Sequence, residues 1–233
     1  MTEIAGATVL VTGGSRGIGR ALVEALYERG AKKVYATARD VSTVRTPGAI
    51  PLALEVTDPA SVAAAAAQAQ DVTILINNAG RAVNASFLDA PIEDVRTEFE
   101  TNFYGPLLTA RAFVPIIERN GGGHLLNVAS VLSWIGLAGS YSASKAALWS
   151  QTNSLRLDLK PRGIGVTGLH VGYVDTDLAA HIDAPKSSPA DVARQALDGI
   201  ESNAFEVLAD ELSRRVKQGL AGDIGALYPQ LAG

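Results

Sequence analysis

The chain has 233 residues, of which 47% are hydrophobic, with a formal net charge of −4 and a mean hydropathy of +0.16. This length and composition predict one domain, residues 1–233, with enough apolar side chains to bury a substantial core. The lack of cysteine excludes disulfides and thiolate metal sites, and the three histidines are too scattered to predict a metal centre. The lack of basic runs excludes a nucleic-acid partner, and the lack of long apolar runs excludes a membrane partner. The first residues show no leader pattern, so we expect a cytoplasmic protein.

Strand-like and helix-like segments alternate along the whole chain. Apolar and β-branched runs predict strands at 8–11, 34–38, 52–56, 72–76, 124–129, 165–171 and 205–208. Helical spacing predicts helices at about 17–29, 61–70, 92–119, 142–159, 189–202 and 210–220, the third bent at Pro106 and Pro115. The alternation predicts an α/β fold with a single Rossmann-like, doubly wound parallel sheet of about seven strands, flanked by helices on both faces.

The turn after the first predicted strand is rich in glycine. Gly13, Gly17 and Gly19 suit a tight turn, a close approach of backbone to ligand, and close packing of helix on strand. The free N–H groups at the start of the next helix favour a pyrophosphate. The Gly-x-x-x-Gly-x-Gly spacing differs from the usual Gly-x-Gly-x-x-Gly fingerprint, so a glycine turn without a ligand remains an alternative.

Marked residues also follow other predicted strands. They are Arg39, Asn77–Gly80, Ser130 and Gly172–Thr176. Because the carboxyl ends of parallel strands meet at one edge of the sheet, and because such folds bind ligands there, these residues predict a ligand crevice at that edge.

Tyr141 and Lys145 lie four positions apart in a predicted helix, so their side chains share one helix face. A phenol titrates near ~10, and a nearby ammonium lowers that pKa by favouring the phenolate. Such a pair is most often an ordinary surface pair. Ser130, at a strand end that reaches the same edge, favours instead an acid–base site in which the serine donates a hydrogen bond.

Together these motifs make the chain resemble the classical short-chain dehydrogenase/reductase family over nearly its full length. The motifs are Thr12–Gly19, Asn77–Gly80, Asn102, Ser130, Tyr141-Ser-Ala-Ser-Lys145 and Gly172–Thr176. The resemblance implies hydride transfer between a nicotinamide cofactor and a carbonyl or alcohol carbon. It implies that Tyr141 exchanges a proton with the substrate oxygen, which Ser130 holds. Lys145 then lowers the tyrosine pKa and binds the nicotinamide ribose, and Asn102 anchors a water that relays protons from Lys145.

The same resemblance places the cofactor-binding residues at Gly13, Ser15, Arg16, Gly17, Ile18, Gly19, Arg39, Glu55, Val56, Asn78, Ala79, Gly80, Tyr141, Lys145, Gly172, Val174 and Thr176. A carboxylate at the end of the second strand selects NAD, whereas an arginine accommodates a 2′-phosphate. NADP(H) is therefore the predicted cofactor, because the small residue Ala38 is followed by Arg39 and because the glycine turn carries a second arginine, Arg16. We interpret the adjacent Asp40 as pointing away from the ribose.

Three positions depart from the family pattern. Glu55 stands where the family usually has Asp, so its longer side chain must fold back to reach the adenine. Val171 replaces a common proline, and the interval from Ser130 to Tyr141 is short. None of these changes removes a reacting group.

The substrate pocket is predicted from the loop 131–139 and a short lid near 177–188. The candidate lining residues are Leu132, Trp134, Leu137, Tyr173, Leu178 and His181. An apolar or aromatic ketone fits such a lining, although packing of the large side chains in the core remains an alternative.

The sequence therefore predicts an NADP(H)-dependent ketoreductase that acts on hydrophobic or aromatic ketones. The alternatives are a 3-oxoacyl thioester reductase, an alcohol-oxidising dehydrogenase, and a non-catalytic NADP(H)-sensing protein. By analogy with the family, the long helices near 92–119 and 142–159 predict a homodimer or homotetramer, and the tail from Asp223 to Gly233 either docks on a neighbour or frays.

Overall fold

A computed structural model describes residues 2–231. Residues 1, 232 and 233, which belong to the predicted domain and tail, lie outside the described residues. The strands are β1 (Thr8–Val11), β2 (Lys33–Ala38), β3 (Ile50–Ala53), β4 (Ile74–Asn77), β5 (Gly123–Val128), β6 (Ile164–His170) and β7 (Glu206–Leu208). The helices are α1 (Gly17–Glu28), α2 (Pro59–Gln68), α3 (Ile92–Phe99), α4 (Gly105–Arg119), α5 (Gly139–Leu159), α6 (Pro189–Glu201), α7 (Glu211–Gly219) and α8 (Ile224–Leu227).

All seven strands form one parallel sheet in the order β3-β2-β1-β4-β5-β6-β7. The chain builds outward from β1 to β3, returns to β4 beside β1, and continues outward on the other side. The predicted doubly wound α/β fold is therefore confirmed. The order reverses between β1 and β4, and a ligand crevice forms at such a point.

Apolar residues on the two faces of the sheet form two separate cores. One core joins α1 and α6 to the sheet through residues such as Leu22, Leu26 and Leu197. The other joins α2, α4 and α5 to the opposite face, with Phe113 fully buried. Both faces of the central strands are covered, which explains why β1 and β4 are apolar without alternation.

Two predicted elements need correction. The strand predicted at 52–56 ends at Ala53, because Glu55 turns back: its N–H donates to Ser61 Oγ, and its carboxylate accepts from Thr57. The helix predicted at 92–119 is interrupted before its prolines, by a π-helical turn at Glu100–Tyr104. Pro106 then occupies the first turn of α4, where the missing N–H is tolerated.

Leu227 and Tyr228, in the described part of the carboxyl-terminal segment, pack on their own chain. The Tyr228 hydroxyl accepts a 2.8 Å hydrogen bond from the N–H of Gly136, in the loop 131–139. Leu227 and Tyr228 also join the apolar cluster of that loop. The predicted pairing of subunits into a homodimer or homotetramer stays a prediction. Within residues 2–231, no helix combines the length and apolarity needed to cross a bilayer.

His124, at the start of β5, makes the stability of the fold depend on pH. The imidazole is fully buried with Nε2 2.8 Å from Thr167 Oγ1, and burial lowers its pKa to about 4. An unfolded histidine titrates near ~6.5, so the unfolded chain binds more protons between these values and stability falls as the pH falls through that window.

We expect urea unfolding to show that the wild type loses about 2 kcal/mol more than His124→Gln when the pH is lowered from 7 to 5. The control His181→Gln alters an exposed ring and should lose as much stability as the wild type. Equal losses in all three proteins contradict the assignment to His124.

Candidate active site

The glycine turn between β1 and α1 leaves backbone N–H groups, and space beside them, available to an anionic ligand. No side chain caps the first turn of α1, which begins after Arg16 in extended conformation. A Cβ on Gly19 would lie 2.0 Å from Gly13 O, and one on Gly17, where φ is +53°, would lie 3.2 Å from Thr176 Cγ2. Side chains are therefore excluded around the N–H groups of the helix start, as a pyrophosphate site requires.

Asn78 and Thr12 join this turn to the end of β4. Asn78 Nδ2 donates to Thr12 O at 2.9 Å and to Gly13 O at 3.1 Å. Thr12 Oγ1 accepts from the N–H groups of Asn78 and Ala79, both at 2.9 Å. A cleft of about 440 Å³ lies beside the turn, lined on one side by Ser15, Arg16 and Gly17 and on the other by Asp175, Thr176 and Asp177. The N–H groups at the start of α1, rather than the whole cleft lining, fit the pyrophosphate of a dinucleotide.

Tyr141 lies in the first turn of α5, beside Ser130 at the end of β5. Partial burial raises the pKa of the Tyr141 phenol to about 12 and outweighs the Ser130 hydroxyl, which acts in the opposite direction. Burial therefore also outweighs the predicted lowering by Lys145, whose Nζ lies 5.7 Å from the centre of the tyrosine ring. The phenol is protonated at neutral pH.

Lys145 lies one helical turn further along α5, with its side chain buried. Nζ donates to Val128 O at 2.8 Å, and burial lowers the pKa of the ammonium to about 8. The carbonyl of Val128 orients the amine without supplying a counter-charge. Lys145 can therefore lose and regain a proton close to neutral pH.

Asn102 lies in the π-helical turn, fully buried beside Lys145. Its side-chain amide is held by the backbone N–H and C=O of Arg81 at 2.9 and 2.8 Å, and Nδ2 also donates to Ser144 Oγ at 3.0 Å. A Cβ added to Gly80 would lie 3.4 Å from Asn102 Oδ1 and 3.6 Å from Lys145 Nζ, so both of these polar atoms lie close to Gly80. In an α-helix the Asn102 carbonyl would accept from the residue four positions on, which is Pro106 and has no N–H. In the sequence, a proline four positions after Asn102 is therefore a signal that Asn102 belongs to a polar site.

Arg16 and Arg39 are exposed at the cofactor edge. Arg16 pairs with Asp177 at 3.2 Å and Arg39 with Glu55 at 3.9 Å, with guanidinium side chains 75% and 79% exposed. Pairs this exposed contribute little, so both guanidiniums are free to turn towards a phosphate. Asp40 is bound within its own turn, accepting from the N–H of Ser42 at 2.9 Å, and this hydrogen bond lowers its pKa.

The remaining predicted cofactor residues divide into two groups. Ile18, Val56 and Val174 have side chains packed against the apolar cores or a neighbouring helix, so only their backbone is available to a ligand. The Gly172 N–H is bound by the carboxylate of Asp210, which ties the end of β6 to the start of α7. The lid from 177 to 188 is closed at its base by hydrogen bonds of Ser187 with Tyr173 and Asp175.

The predicted pocket residues separate into exposed side chains and one core residue. Leu137, Tyr173 and Leu178 are exposed, as is His181, while Leu132 is half-buried. Trp134 is a correction: it is buried, stacks on His170 with ring centroids 4.1 Å apart, and packs edge-on against Trp149. The core-packing alternative holds for this residue because the loop folds over the end of β6.

Two buried polar residues near the site were missed in the sequence. His170 places Nδ1 3.1 Å from Ser130 O, and burial lowers its pKa to about 4. Glu98 lies on α3, its carboxylate hydrogen-bonded to Ser140, next to Tyr141. Glu98 follows Val95 by three positions and precedes Asn102 by four, so its place on the buried helix face was readable from the spacing. Within residues 2–231, no group of three His, Asp or Glu side chains is placed to hold a metal ion.

Comparisons with known proteins agree with this geometry. The family model for short chain dehydrogenases matches residues 7–187. The chain is 31% identical to the ketoacyl reductase HetN of a Nostoc species, over 91% of this chain and 81% of that protein. It is 38% identical to the NADPH-dependent 1-acyldihydroxyacetone phosphate reductase of Schizosaccharomyces pombe, over 73% of this chain and 60% of that protein.

Solved structures show the same fold. A short chain dehydrogenase from Burkholderia cenocepacia in complex with NADP is 37% identical, with a TM-score of 0.93 and 99% of each chain covered. A short chain dehydrogenase/reductase from Burkholderia phymatum in complex with NAD is 26% identical, with a TM-score of 0.84, over 93% of this chain and 94% of that one. The fold and site define an oxidoreductase built on a dinucleotide-binding sheet. The chain belongs to the short-chain dehydrogenase/reductase family.

The glycine turn gives a direct test of the cofactor site. We expect Gly19→Ala to weaken NADPH binding at least tenfold, because the new methyl group would displace Gly13 O and the turn with it. Isothermal titration measures the dissociation constant. The control Gly136→Ala places its methyl in ordinary contact, 3.6 Å from Tyr228 Oη, and should bind NADPH like the wild type. Equal affinity in the two variants places the cofactor elsewhere.

Proposed function

We propose that the protein is an NADP(H)-dependent reductase of hydrophobic or aromatic ketones. The observation that carries this proposal is the convergence of Ser130, Tyr141 and Lys145 at the same sheet edge as the glycine turn. A non-catalytic NADP(H)-sensing protein needs none of these three side chains.

The residues divide the chemistry between them. The nicotinamide cofactor supplies the hydride when it is bound. Ser130 holds the substrate oxygen with a hydrogen bond, and Tyr141 donates its proton to that oxygen as the hydride reaches carbon. Asn102 holds a water next to Lys145 for the return of protons.

The pKa values of half-buried Tyr141 and buried Lys145 favour the reducing direction. Tyr141, with a pKa raised to about 12, carries its proton at neutral pH and is ready to act as a general acid. Lys145, with a pKa lowered to about 8, is the stronger acid of the two and can return a proton to the phenolate. Proton flow from Lys145 to Tyr141 is therefore downhill after each reduction.

The choice of NADP(H) rests on the two arginines. Arg16 and Arg39 stand at the edge where the 2′-phosphate of the cofactor would lie, and a forked guanidinium binds phosphate in a bidentate manner. The NADP in the Burkholderia cenocepacia structure supports this choice. Glu55, which pairs with Arg39, opposes it by offering a carboxylate to the same guanidinium.

Arg39→Asp tests this preference. We expect the ratio of kcat/KM for NADPH to that for NADH to fall by at least tenfold, because a carboxylate repels the 2′-phosphate and binds the ribose hydroxyl. The control Arg45→Asp changes the charge in the loop before β3, away from the sheet edge, and should leave the ratio near that of the wild type. An unchanged ratio in Arg39→Asp shows that Arg39 does not contact the cofactor.

The proposed substrate class rests on the apolar and aromatic side chains that the sequence predicts to line the pocket. Leu132, Leu137, Tyr173 and Leu178 offer apolar and aromatic surface, and Leu137 and Leu178 are 55% and 50% exposed. A 3-oxoacyl thioester is the second candidate, favoured by the similarity to a ketoacyl reductase. The experiment is to follow NADPH and NADH consumption with aryl ketones, β-ketoesters and acyl thioesters, and the preferred panel decides between the two. If no panel consumes cofactor while NADPH still raises the melting temperature, the proposal fails in favour of the sensing protein.

Tyr141→Phe tests the assignment of the general acid. We expect turnover to fall by about 100-fold or more while the NADPH dissociation constant stays within about twofold of wild type, because only the proton donor is removed. Steady-state kinetics and cofactor titration measure the two quantities. The exposed Tyr104 serves as a control, since Tyr104→Phe should leave both unchanged. Full turnover in Tyr141→Phe refutes the mechanism.

A further inference from the structure

Glu98 is a fully buried carboxylate that the proposed reaction does not use. It lies in the last turn of α3, and its three partners are all uncharged donors. Oε1 accepts from the backbone N–H groups of Val83 and Asn84 at 2.5 and 3.0 Å, and Oε2 accepts from the Ser140 hydroxyl. Burying a carboxylate is costly unless donors satisfy it, so a buried glutamate with this donor set ties specific segments together.

The segments that Glu98 joins both border the reacting groups. Residues 83–85 belong to the loop that follows Asn77–Gly80, and Ser140 immediately precedes Tyr141. The two segments also bind each other directly: the Ala85 N–H donates to Ser140 Oγ at 3.1 Å, and the Ser140 N–H donates to Ala85 O at 3.1 Å. Ser140 Oγ thus accepts from Ala85 and donates to Glu98.

The backbone on both sides of this junction is specialised for close contact. Asn84 has φ +57°, a conformation that few residues other than glycine adopt. Gly139 has φ +49°, and a Cβ there would lie 2.2 Å from Ala85 O. The start of α5 and the 83–85 loop therefore have one closely fitting arrangement, and the Glu98 carboxylate lies at its centre.

We propose that Glu98 is a positioning residue for Tyr141, holding Ser140 and the first turn of α5 against the 83–85 loop and placing a negative charge beside the phenol. This inference rests on the proposed function, since it assigns a role in the reaction of that same site. Displacement of a reacting group by about 1 Å is enough to lower a rate up to ~100-fold, so a residue that holds the turn acts on kcat.

Three groups act on the Tyr141 phenol from the elements around it. Glu98 acts on it through its charge from α3, Ser130 acts from the end of β5, and Lys145 Nζ lies 5.7 Å from the ring centre, one turn further along α5. The charge of Glu98 raises the pKa of Tyr141, and the Ser130 hydrogen bond lowers it. Removing the charge of Glu98 therefore lowers the phenol pKa, and reduction, which needs the protonated phenol, is lost at a lower pH.

The experiment compares pH–rate profiles for NADPH-dependent ketone reduction in the wild type, Glu98→Gln and Ser140→Ala. We expect Glu98→Gln to lower kcat roughly tenfold and to move the alkaline limb to lower pH, with the NADPH dissociation constant unchanged. Ser140→Ala removes the bridge and keeps the charge, so kcat should fall while the limb stays in place. The control Glu93→Gln, on the exposed face of the same helix, should change neither.

An alkaline limb in Glu98→Gln that coincides with the wild type overturns the inference. So does a loss of NADPH binding that parallels the loss of turnover, because it indicates general disruption of the fold.

If Glu98→Gln does not fold, the Ser140→Ala variant tests the positioning role instead. An unchanged kcat in Ser140→Ala also overturns the role of Glu98. A wild-type protein that reduces no ketone refutes the proposed function instead. Hydrogen exchange at the Val83 and Asn84 amides then decides the holding role, which fails if Ser140→Ala leaves exchange unchanged.

Discussion

The hydrogen bonds between the ends of β1 and β4 are the constraint on which the site depends. Asn78 and Thr12 tie the two strand ends together at the point where the sheet order reverses. The glycine turn closes against Asn78, since even one methyl group on Gly19 would lie 2.5 Å from Nδ2. This contact fixes where α1 begins, and so where its N–H groups point. The residues that follow Asn78 along the chain continue into Gly80 and the 83–85 loop, so one junction positions both the cofactor edge and the wall behind Tyr141.

Burial, more than any single ion pair, sets the proton chemistry. The same low-dielectric surroundings raise the pKa of the neutral acid Tyr141 and lower the pKa of the cationic acid Lys145, because both shifts disfavour charge. The two groups therefore exchange their order of acidity compared with water, where a phenol is slightly the more acidic. Ser130 works against this trend at Tyr141 and Glu98 reinforces it. A site arranged in this way favours the proton on the Tyr141 oxygen over the Lys145 amine.

The sequence predicted the fold and the shared helix face of Tyr141 and Lys145 because both depend on local spacing. Apolar runs marked all seven strands, and Tyr141 and Lys145 share a helix face wherever that helix is placed. The errors have the same physical origin. The end of β3 was misplaced because Glu55 turns towards Thr57 and Ser61, and the helix irregularity was assigned to Pro106 itself rather than to the turn before it. Trp134 was placed in the pocket because size and apolarity do not reveal whether a loop residue faces a ligand or the core.

Glu98 and His170 show why the contacts of the rest of the site were not readable from the sequence. Helical spacing indicates that Glu98 lies on a buried face, but it does not identify partners, several of which are backbone groups: the N–H groups of Val83 and Asn84 for Glu98, and the carbonyl of Ser130 for His170. Behind His170, Lys217 lies over the rings of Trp134 and Trp149 and pairs with Glu206 at 2.7 Å. Tyr228 then holds the loop 131–139 at Gly136. The loop 131–139 is thus supported by β7, α7 and the segment after α8, whereas the glycine turn is supported by the ends of β1 and β4. Substitutions at Leu212 or Tyr228 therefore act on the loop 131–139 rather than on the glycine turn, because separate parts of the fold support the two.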